Sequence, residues 1–364
     1  MEENAYWLGF SRISGIGRVT IEKLRAAFGT LERAWSAPLN VLRSAGLGEH
    51  LVGRVMTARR ELDLAAELAR IKALGTHLKT LADADYPALL RPLRAAPPVL
   101  YIRGSLTPAD DRALAVVGTR KATRYGKDIT TQFCSVIAQA GVTIVSGLAI
   151  GIDAAAHIAA LDAGGRTLGV LGCGIDVVYP RENAALFHRI LDNGQGALIT
   201  QYPPGTRPDG TNFPRRNATL SGLALGVLVT EAPAKSGSLS TVGAALDQGR
   251  DVFVIPHSLH NQMGTGGNLL IRDGAKIALE PRDVLDELNI SVELLTTRTA
   301  TERIAPDSPQ EAHVLAHLSD APLHVDDLAR ATSLSIPELS TILTLLELKG
   351  LAQQVDHMQY CAMS

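Results

Sequence analysis

The sequence predicts an α/β protein built on a parallel sheet and framed by two smaller helical units, and three observations carry that prediction. The first is a series of short apolar runs between residues 85 and 288: Ala113–Val117, Val142–Val145, Thr167–Leu171, Ala197–Thr200, Val227–Val229 and Val252–Ile255. Runs this short and this apolar read as buried strands. The second is what separates them. Tyr125–Ala140, Asp153–Ala163, Asn183–Leu191 and Leu239–Gln248 are amphipathic at helical spacing, and strand–helix–strand alternation implies βαβ units. The third is a change of pattern at both ends, where helical periodicity dominates. The predicted architecture is an extended Rossmann-like sheet over 81–290, an N-terminal helical domain of helix-hairpin-helix or SAM-like type over 1–80, a linker over 291–306 and a winged helix over 307–364.

In the first segment, Ile13-Ser14-Gly15-Ile16-Gly17 leads into helical spacing from Thr20 to Phe28. Leu42 to Gly48 follows, then a long helical stretch over 49–74. Gly15-Ile16-Gly17 reads as the hairpin of a helix-hairpin-helix, which offers backbone N–H groups to a phosphate. It reads equally as a plain turn in which glycine supplies a positive φ. Pro97-Pro98 breaks the chain before an extra strand at Val99–Ile102. In the tail, a Thr-rich stretch (Thr296 to Thr301) and Pro306 precede helices at Gln310–Leu318, Val325–Thr332 and Ile336–Leu348. Ala352–Val355 and Met358–Cys361 then form a hairpin, completing a winged helix.

Charge limits the function. The 364 residues carry a net charge of −2, so contact with nucleic acid would have to use local basic groups. The local balance is +4 over residues 1–80, neutral over 81–306 and −6 over 307–364. The three cysteines, Cys134, Cys173 and Cys361, are far apart and form no CxxC or Cys/His cluster. That argues against a disulfide framework and against a zinc site, so no metal is expected. Met1 to Phe10 has no apolar signal-peptide core. No run approaches the roughly 18 apolar residues of a membrane span. The expectation is a cytoplasmic protein with no membrane partner.

Ligands of an open parallel sheet bind beyond the carboxyl ends of its strands. The residues there are Gly118-Thr119-Arg120-Lys121 with Arg124, Ser146 to Asp153, Gly172 to Pro180 followed by Arg181, Phe213 to Asn217, and Thr230 to Ser238. Glycines that let a ligand approach, hydroxyls that donate and Arg or Lys that add charge make a phosphate-binding edge. The usual nucleotide motifs do not fit. Gly118 and Gly126-Lys127 are separated by seven residues, where a Walker loop has about four. Gly172-Cys173-Gly174 begins a dinucleotide fingerprint but reaches Val177 where glycine is required. Asp153 and His157 share a helix face, either as an acid/base pair or half a metal site, or as a helix-start Asp and a hydrogen-bonded His. With no third ligand the structural reading is preferred. Cys173 has no evident His or Asp to complete a nucleophilic set.

Eight motifs in order now bear on identity: Tyr86-Pro87, Pro98 to Gly104, Val117 to Arg120, Ser146 to Asp153 with Ala156-His157, Tyr179-Pro180, Phe213 to Asn217, Ser236-Gly237-Ser238 and Gly249-Arg250. In this the chain resembles the DNA-processing protein A (DprA/Smf) family. The resemblance implies an extended Rossmann fold that binds single-stranded DNA, forms a homodimer and loads a RecA-type recombinase during natural transformation, without cofactor or catalysis. Carried over position by position, it implies a DNA site of Gly118, Thr119, Arg120, Ser146, Gly147, Phe213, Arg215, Arg216, Asn217, Lys235, Ser236 and Gly237. Arg181, which follows Tyr179-Pro180, is added. Arg120, Arg215, Arg216 and Lys235 would engage phosphates and Phe213 would stack on a base.

The chain also departs from the family pattern. Ala218 stands where a further Arg is usual, Thr200-Gln201 replaces Ser-Glu, Ser240-Thr241-Val242 replaces Ile-Thr-Ala, and His257 follows Pro256 in place of Gly. The missing Arg bears on pocket charge more than on fold. Two other readings stand. One is a phosphoribohydrolase-like nucleotide enzyme, for which Glu231 would supply the carboxylate. The other is a structural recombination adaptor with a vestigial pocket.

Overall fold

The computed structural model describes residues 3–290, 308–319, 323–348, 351–356 and 358–362. The chain opens with six helices: α1 (Glu3–Ser11), α2 (Arg18–Phe28), α3 (Leu31–Ser36), α4 (Leu39–Ser44), α5 (Glu49–Glu61) and α6 (Leu64–Ala73). The single helical stretch expected over 49–74 is two helices. Asp63 makes the break, because its carboxylate accepts from the N–H groups of Ala65 and Ala66 at 3.0 Å and so caps α6. Next come two strands, β1 (Thr76–Thr80) and β2 (Val99–Gly104), paired antiparallel. The sequence reading did not anticipate β1.

The central region alternates as expected: β3 (Ala113–Val117), α7 (Arg124–Gln139), β4 (Thr143–Ser146), α8 (Ile152–Asp162), β5 (Thr167–Val170), α9 (Ala184–Leu191), β6 (Gly196–Thr200), α10 (Asn212–Gly222), β7 (Gly226–Val229), α11 (Leu239–Asp247), β8 (Asp251–Val254), α12 (Thr265–Arg272), β9 (Lys276–Ile277) and α13 (Pro281–Glu287). Every residue of β3, β4, β5, β6 and β7 is buried. That is why these strands read as continuous apolar runs, with no polar face. The sheet order is β1-β2-β6-β5-β4-β3-β7-β8-β9. From β6 to β9 neighbouring strands are parallel. The chain steps outward from β3 through β4 and β5 to β6, then returns to β7 on the other side of β3. The sheet therefore reverses between β3 and β7, and this switch point is where its ligand edge opens.

One side of the sheet carries Leu148, Phe187 and Ile190 in a core continuous with Trp7, Leu8 and Phe10 of α1. A second core holds Val117, Val229, Leu220 and Val242. The residues up to α13 form one compact unit. The pairing of β1 with β2 and the shared core thus both span the domain boundary expected at residue 80.

The second unit holds α14 (Pro309–Leu315), β10 (Leu323–His324), α15 (Val325–Thr332), α16 (Ile336–Leu348), β11 (Ala352–Asp356) and β12 (Gln359–Ala362). Its core is Val314, Leu328, Leu339, Leu343 and Leu346. This is the expected winged helix, with one short strand more, since β10 joins the wing in the order β10-β12-β11. The first helix ends at Leu315, three residues earlier than expected. The expected linker at 291–306 lies outside the described residues. Among those described, no helix is long and apolar enough to cross a membrane.

Candidate nucleic-acid interface

The site begins where β3 ends. Gly118 has to be small: a Cβ there would lie 2.5 Å from Cγ1 of Ile152 and 2.8 Å from the carbonyl oxygen of Glu231. The next residue, Thr119, donates its N–H to that carbonyl at 2.7 Å. The turn after β3 is thus fixed to the turn after β7, and Arg120 projects exposed from it.

Phe213, on the first turn of α10, collects the cationic groups. The Arg120 guanidinium lies 5.6 Å from its ring centroid and that of Arg216 lies 5.5 Å away. Tyr179 is a further neighbour of the ring, with ring centroids 6.1 Å apart and planes tilted by 38°. Two depressions meet here. One, of about 390 Å³, is lined by Gly147, Ile150, Gly172, Tyr179 and Arg181. The other, of about 560 Å³, is lined by Gly118, Thr119, Asn217, Lys235, Ser236 and Gly237. Arg120, Ala149, Phe213 and Arg216 line both. The result is a continuous cationic groove along the switch point.

Not every expected residue faces it. Ser146 is fully buried and donates its hydroxyl to the Val116 carbonyl at 2.7 Å; it is sheet structure, since the last residue of β4 points into the core. Arg215 is exposed on α10 and lines neither depression. Arg216 is only 5% exposed. Its Nη1 donates to the carbonyls of Gly147 (2.7 Å) and Val170 (2.6 Å), while its Nε has no partner among the described residues. Burial pulls its pKa below the ordinary value and the Asp153 carboxylate pushes back. Asn217 is buried and donates to Oγ of Ser240 at 2.7 Å. The Ser236 and Ser238 hydroxyls are hydrogen-bonded to each other at 2.7 Å.

The groups considered for catalysis are otherwise engaged. Asp153 accepts from the Gly147 N–H at 3.1 Å and holds the β4 turn in place. His157 is fully buried, its Nδ1 2.6 Å from the Thr167 hydroxyl. That hydroxyl donates to the Ile144 carbonyl, so Nδ1 carries the proton and donates. Burial pushes the His157 pKa down to about 3. The pair is structural. The Cys173 thiol is buried, donates to the Val177 carbonyl at 3.4 Å and is pushed up to about 11 by burial. Glu231 is 1% exposed, and its carboxylate accepts from the N–H and hydroxyl of Thr123 at 2.8 and 2.7 Å. The sequence reading missed Tyr179 as a neighbour of Phe213, although it had singled out the Tyr179-Pro180 motif. It also missed Asp153 as the holder of the β4 turn. No group of three or more potential metal ligands occurs among the described residues.

A largely parallel α/β sheet with a cationic groove at its switch point, followed by a winged helix, defines a Rossmann-type protein with a winged-helix domain. The chain belongs to the DNA recombination-mediator protein A family, whose profile matches residues 77–289; a second profile, the DprA winged helix domain, matches residues 298–356. Protein Smf of Synechocystis is 34% identical over 98% of either chain. The DNA processing protein DprA of Bacillus subtilis is 39% identical over 61% of this chain and 74% of its own. The solved structure of DprA from Streptococcus pneumoniae superposes with a TM-score of 0.67 at 32% identity, covering 78% of this chain and 97% of that one. DNA processing protein A from Helicobacter pylori, described for its single-stranded DNA binding mode, superposes at 0.52 with 29% identity over 58% of this chain and 96% of its own.

Proposed function

We propose that this protein binds single-stranded DNA along the switch-point groove and presents it to a RecA-type recombinase during natural transformation. It acts as a cytoplasmic homodimer, without cofactor and without turnover of the strand. The observation that carries this reading is the pair of joined depressions meeting at Phe213 between Arg120 and Arg216. A single closed pocket would suit one nucleotide, whereas an open groove suits successive nucleotides of a strand. Arg120, Arg181 and Lys235 face it as exposed cations. The half-buried Phe213 ring offers a stacking surface, which an unpaired base can reach and a paired one cannot. The single-stranded DNA binding described for the Helicobacter pylori relative supports the same reading. The nucleotide-enzyme alternative loses its best acid, because the Glu231 carboxylate is engaged by Thr123.

The test is a titration of the purified protein with a labelled single-stranded oligonucleotide and the same sequence as duplex, at several salt concentrations. The single strand is expected to bind more tightly. Three engaged phosphates would give a slope of log affinity against log salt of about −2. Equal or tighter binding of the duplex overturns the reading, as does release of base or phosphate that copurifies with the protein.

A further inference from the structure

We propose that Glu231 is a positioning residue that locks the Arg120 turn and the base of the Lys235 loop into one preformed unit. This rests on the groove being the DNA site. Glu231 is the second residue after β7 and lines neither depression. It is nonetheless bonded to the neighbouring turn through both its backbone and its side chain. Its carbonyl accepts from the Thr119 N–H, one residue before Arg120. Its Oε2 accepts from the Thr123 N–H at 2.8 Å and its Oε1 from the Thr123 hydroxyl at 2.7 Å. That hydroxyl in turn accepts from the Gly126 N–H at 3.0 Å and caps α7. The turn from β3 to α7 is therefore pinned at both ends, at Thr119 and at Thr123, by one residue of the neighbouring loop. A charge at this place is favoured by the N-terminus of the 16-residue α7. The contact also leaves no room: a Cβ on Gly126 would lie 2.3 Å from Oε2 of Glu231. Just beyond, the Ala232 carbonyl accepts from the Gly266 N–H at 2.8 Å, which fixes the base of the Lys235 loop to α12.

The consequence is preorganisation. Arg120 and Lys235 are long, exposed side chains, and each would lose affinity to ordering if its loop moved independently. With the two loops tied, a strand meets cations already at a set spacing. Both carboxylate oxygens are committed to Thr123, so the role is positional and not catalytic.

The experiment uses the full chain and a fluorescein-labelled 20-nucleotide oligothymidylate, titrated at five salt concentrations. Four proteins are compared: wild type, Glu231→Gln, Thr123→Val and Thr123→Ser. Thr123→Val removes the hydroxyl tie and keeps the N–H, and Thr123→Ser restores the hydroxyl. Glu231→Gln and Thr123→Val are expected to bind at least tenfold more weakly, with the salt slope shallower by about 0.7, one phosphate contact for single strands. Thr123→Ser is expected to match wild type in both. A substitution that only lowered the folded fraction would weaken apparent binding and leave the slope unchanged. An unchanged slope in both Glu231→Gln and Thr123→Val overturns the proposal. If Glu231→Gln does not fold, Thr123→Val decides it. Absence of salt-dependent binding by wild type instead overturns the assignment of the groove, and this inference with it.

Discussion

The Arg216 guanidinium donates a 2.7 Å hydrogen bond to the carbonyl of Gly147, and the same nitrogen reaches the Val170 carbonyl at 2.6 Å. One side chain on α10 thus ties together the ends of β4 and β5. Arg216 also lines both depressions, so it is at once a brace for the groove and a fixed positive charge within it. The phosphate-binding role expected of it from sequence leaves this bracing out.

This dual role predicts a large stability effect. Arg216→Ala would leave the buried Val170 carbonyl and the part-buried Gly147 carbonyl without this donor, and the Asp153 carboxylate without the Arg216 charge. Removing one partner of such a buried set costs about 3 kcal/mol or more. Arg216→Lys keeps the charge but not the fork, so it should be destabilised by less. Urea denaturation midpoints test the order wild type, Lys, Ala. An Arg216→Ala protein as stable as wild type would mean the brace is dispensable.

Arg120 and Arg215 should behave differently. Both are exposed and neither makes a side-chain hydrogen bond or ion pair with another described residue. Surface changes of this kind typically fall within about 0.5 kcal/mol in stability. Arg120→Ala is therefore expected to weaken single-strand binding several-fold with an unchanged denaturation midpoint. Arg215→Ala lies outside both depressions and should have the smaller effect. A larger effect for Arg215 would mean that the strand runs over the exposed face of α10 and not along the groove.

His157 gives a pH signature. Its pKa falls from 6.5 to about 3 on folding. Below pH 6.5 the unfolded chain takes up a proton that the folded chain excludes, so stability is full above 6.5 and drains away as pH falls towards 3. From pH 7 to pH 5 this one residue should cost about 2 kcal/mol. His157→Gln should flatten that part of the profile. Parallel profiles for the two proteins would show that His157 is not the neutral, buried group described above.

How much of this was legible beforehand depends on the range of the contact. The strands of the sheet, from β3 to β8, were legible because burial on both faces leaves an uninterrupted apolar run. β1 was not, because Thr76-His77-Leu78-Lys79-Thr80 is a half-exposed edge strand directly behind a helix. The α5–α6 break had a local signal in Asp63, a helix-capping residue inside a helical pattern. The segments that bear Gly118, Arg120, Phe213 and Lys235 could be placed at one edge from topology alone. What each side chain does there could not. Arg215 and Arg216 are neighbours in sequence, and only packing makes one exposed and the other buried. Glu231 and Thr123 are 108 residues apart, and no spacing rule links them.

The homodimer can be argued from the far edge of the sheet. Among the described residues β9 pairs with β8 alone; its Ile277 is 50% exposed, and Leu279, two residues on, is 74% exposed. An exposed apolar edge strand invites pairing. Of the apolar residues late in α12, Leu270 and Ile271 pack against the core and Leu269 is exposed. The full chain is expected to be a dimer by light scattering at tens of micromolar, and Ile277→Lys with Leu279→Lys a monomer. The measurement needs the whole chain, because cutting at residue 80 would expose the core shared with α1. A wild-type monomer would count against the dimer.

The tail is expected to be dispensable for holding the strand. A winged helix ordinarily meets DNA through a recognition helix bearing Arg or Lys. Here the corresponding helix, α16, holds Glu338 and Glu347 and no basic residue. Residues 307–364 carry a net charge of −6. Phosphates are repelled by such a surface at neutral pH, whereas a protein partner is not. The unit also has a core of its own, so its removal should not disturb the sheet. Deletion of 303–364 should therefore leave single-strand affinity within about threefold, or about 0.7 kcal/mol. If the tail docks a recombinase, the same deletion should abolish loading of that recombinase while the strand stays bound. A tenfold or greater loss of strand affinity, with the sheet still folded and dimeric, would show that the winged helix contacts the strand despite its charge.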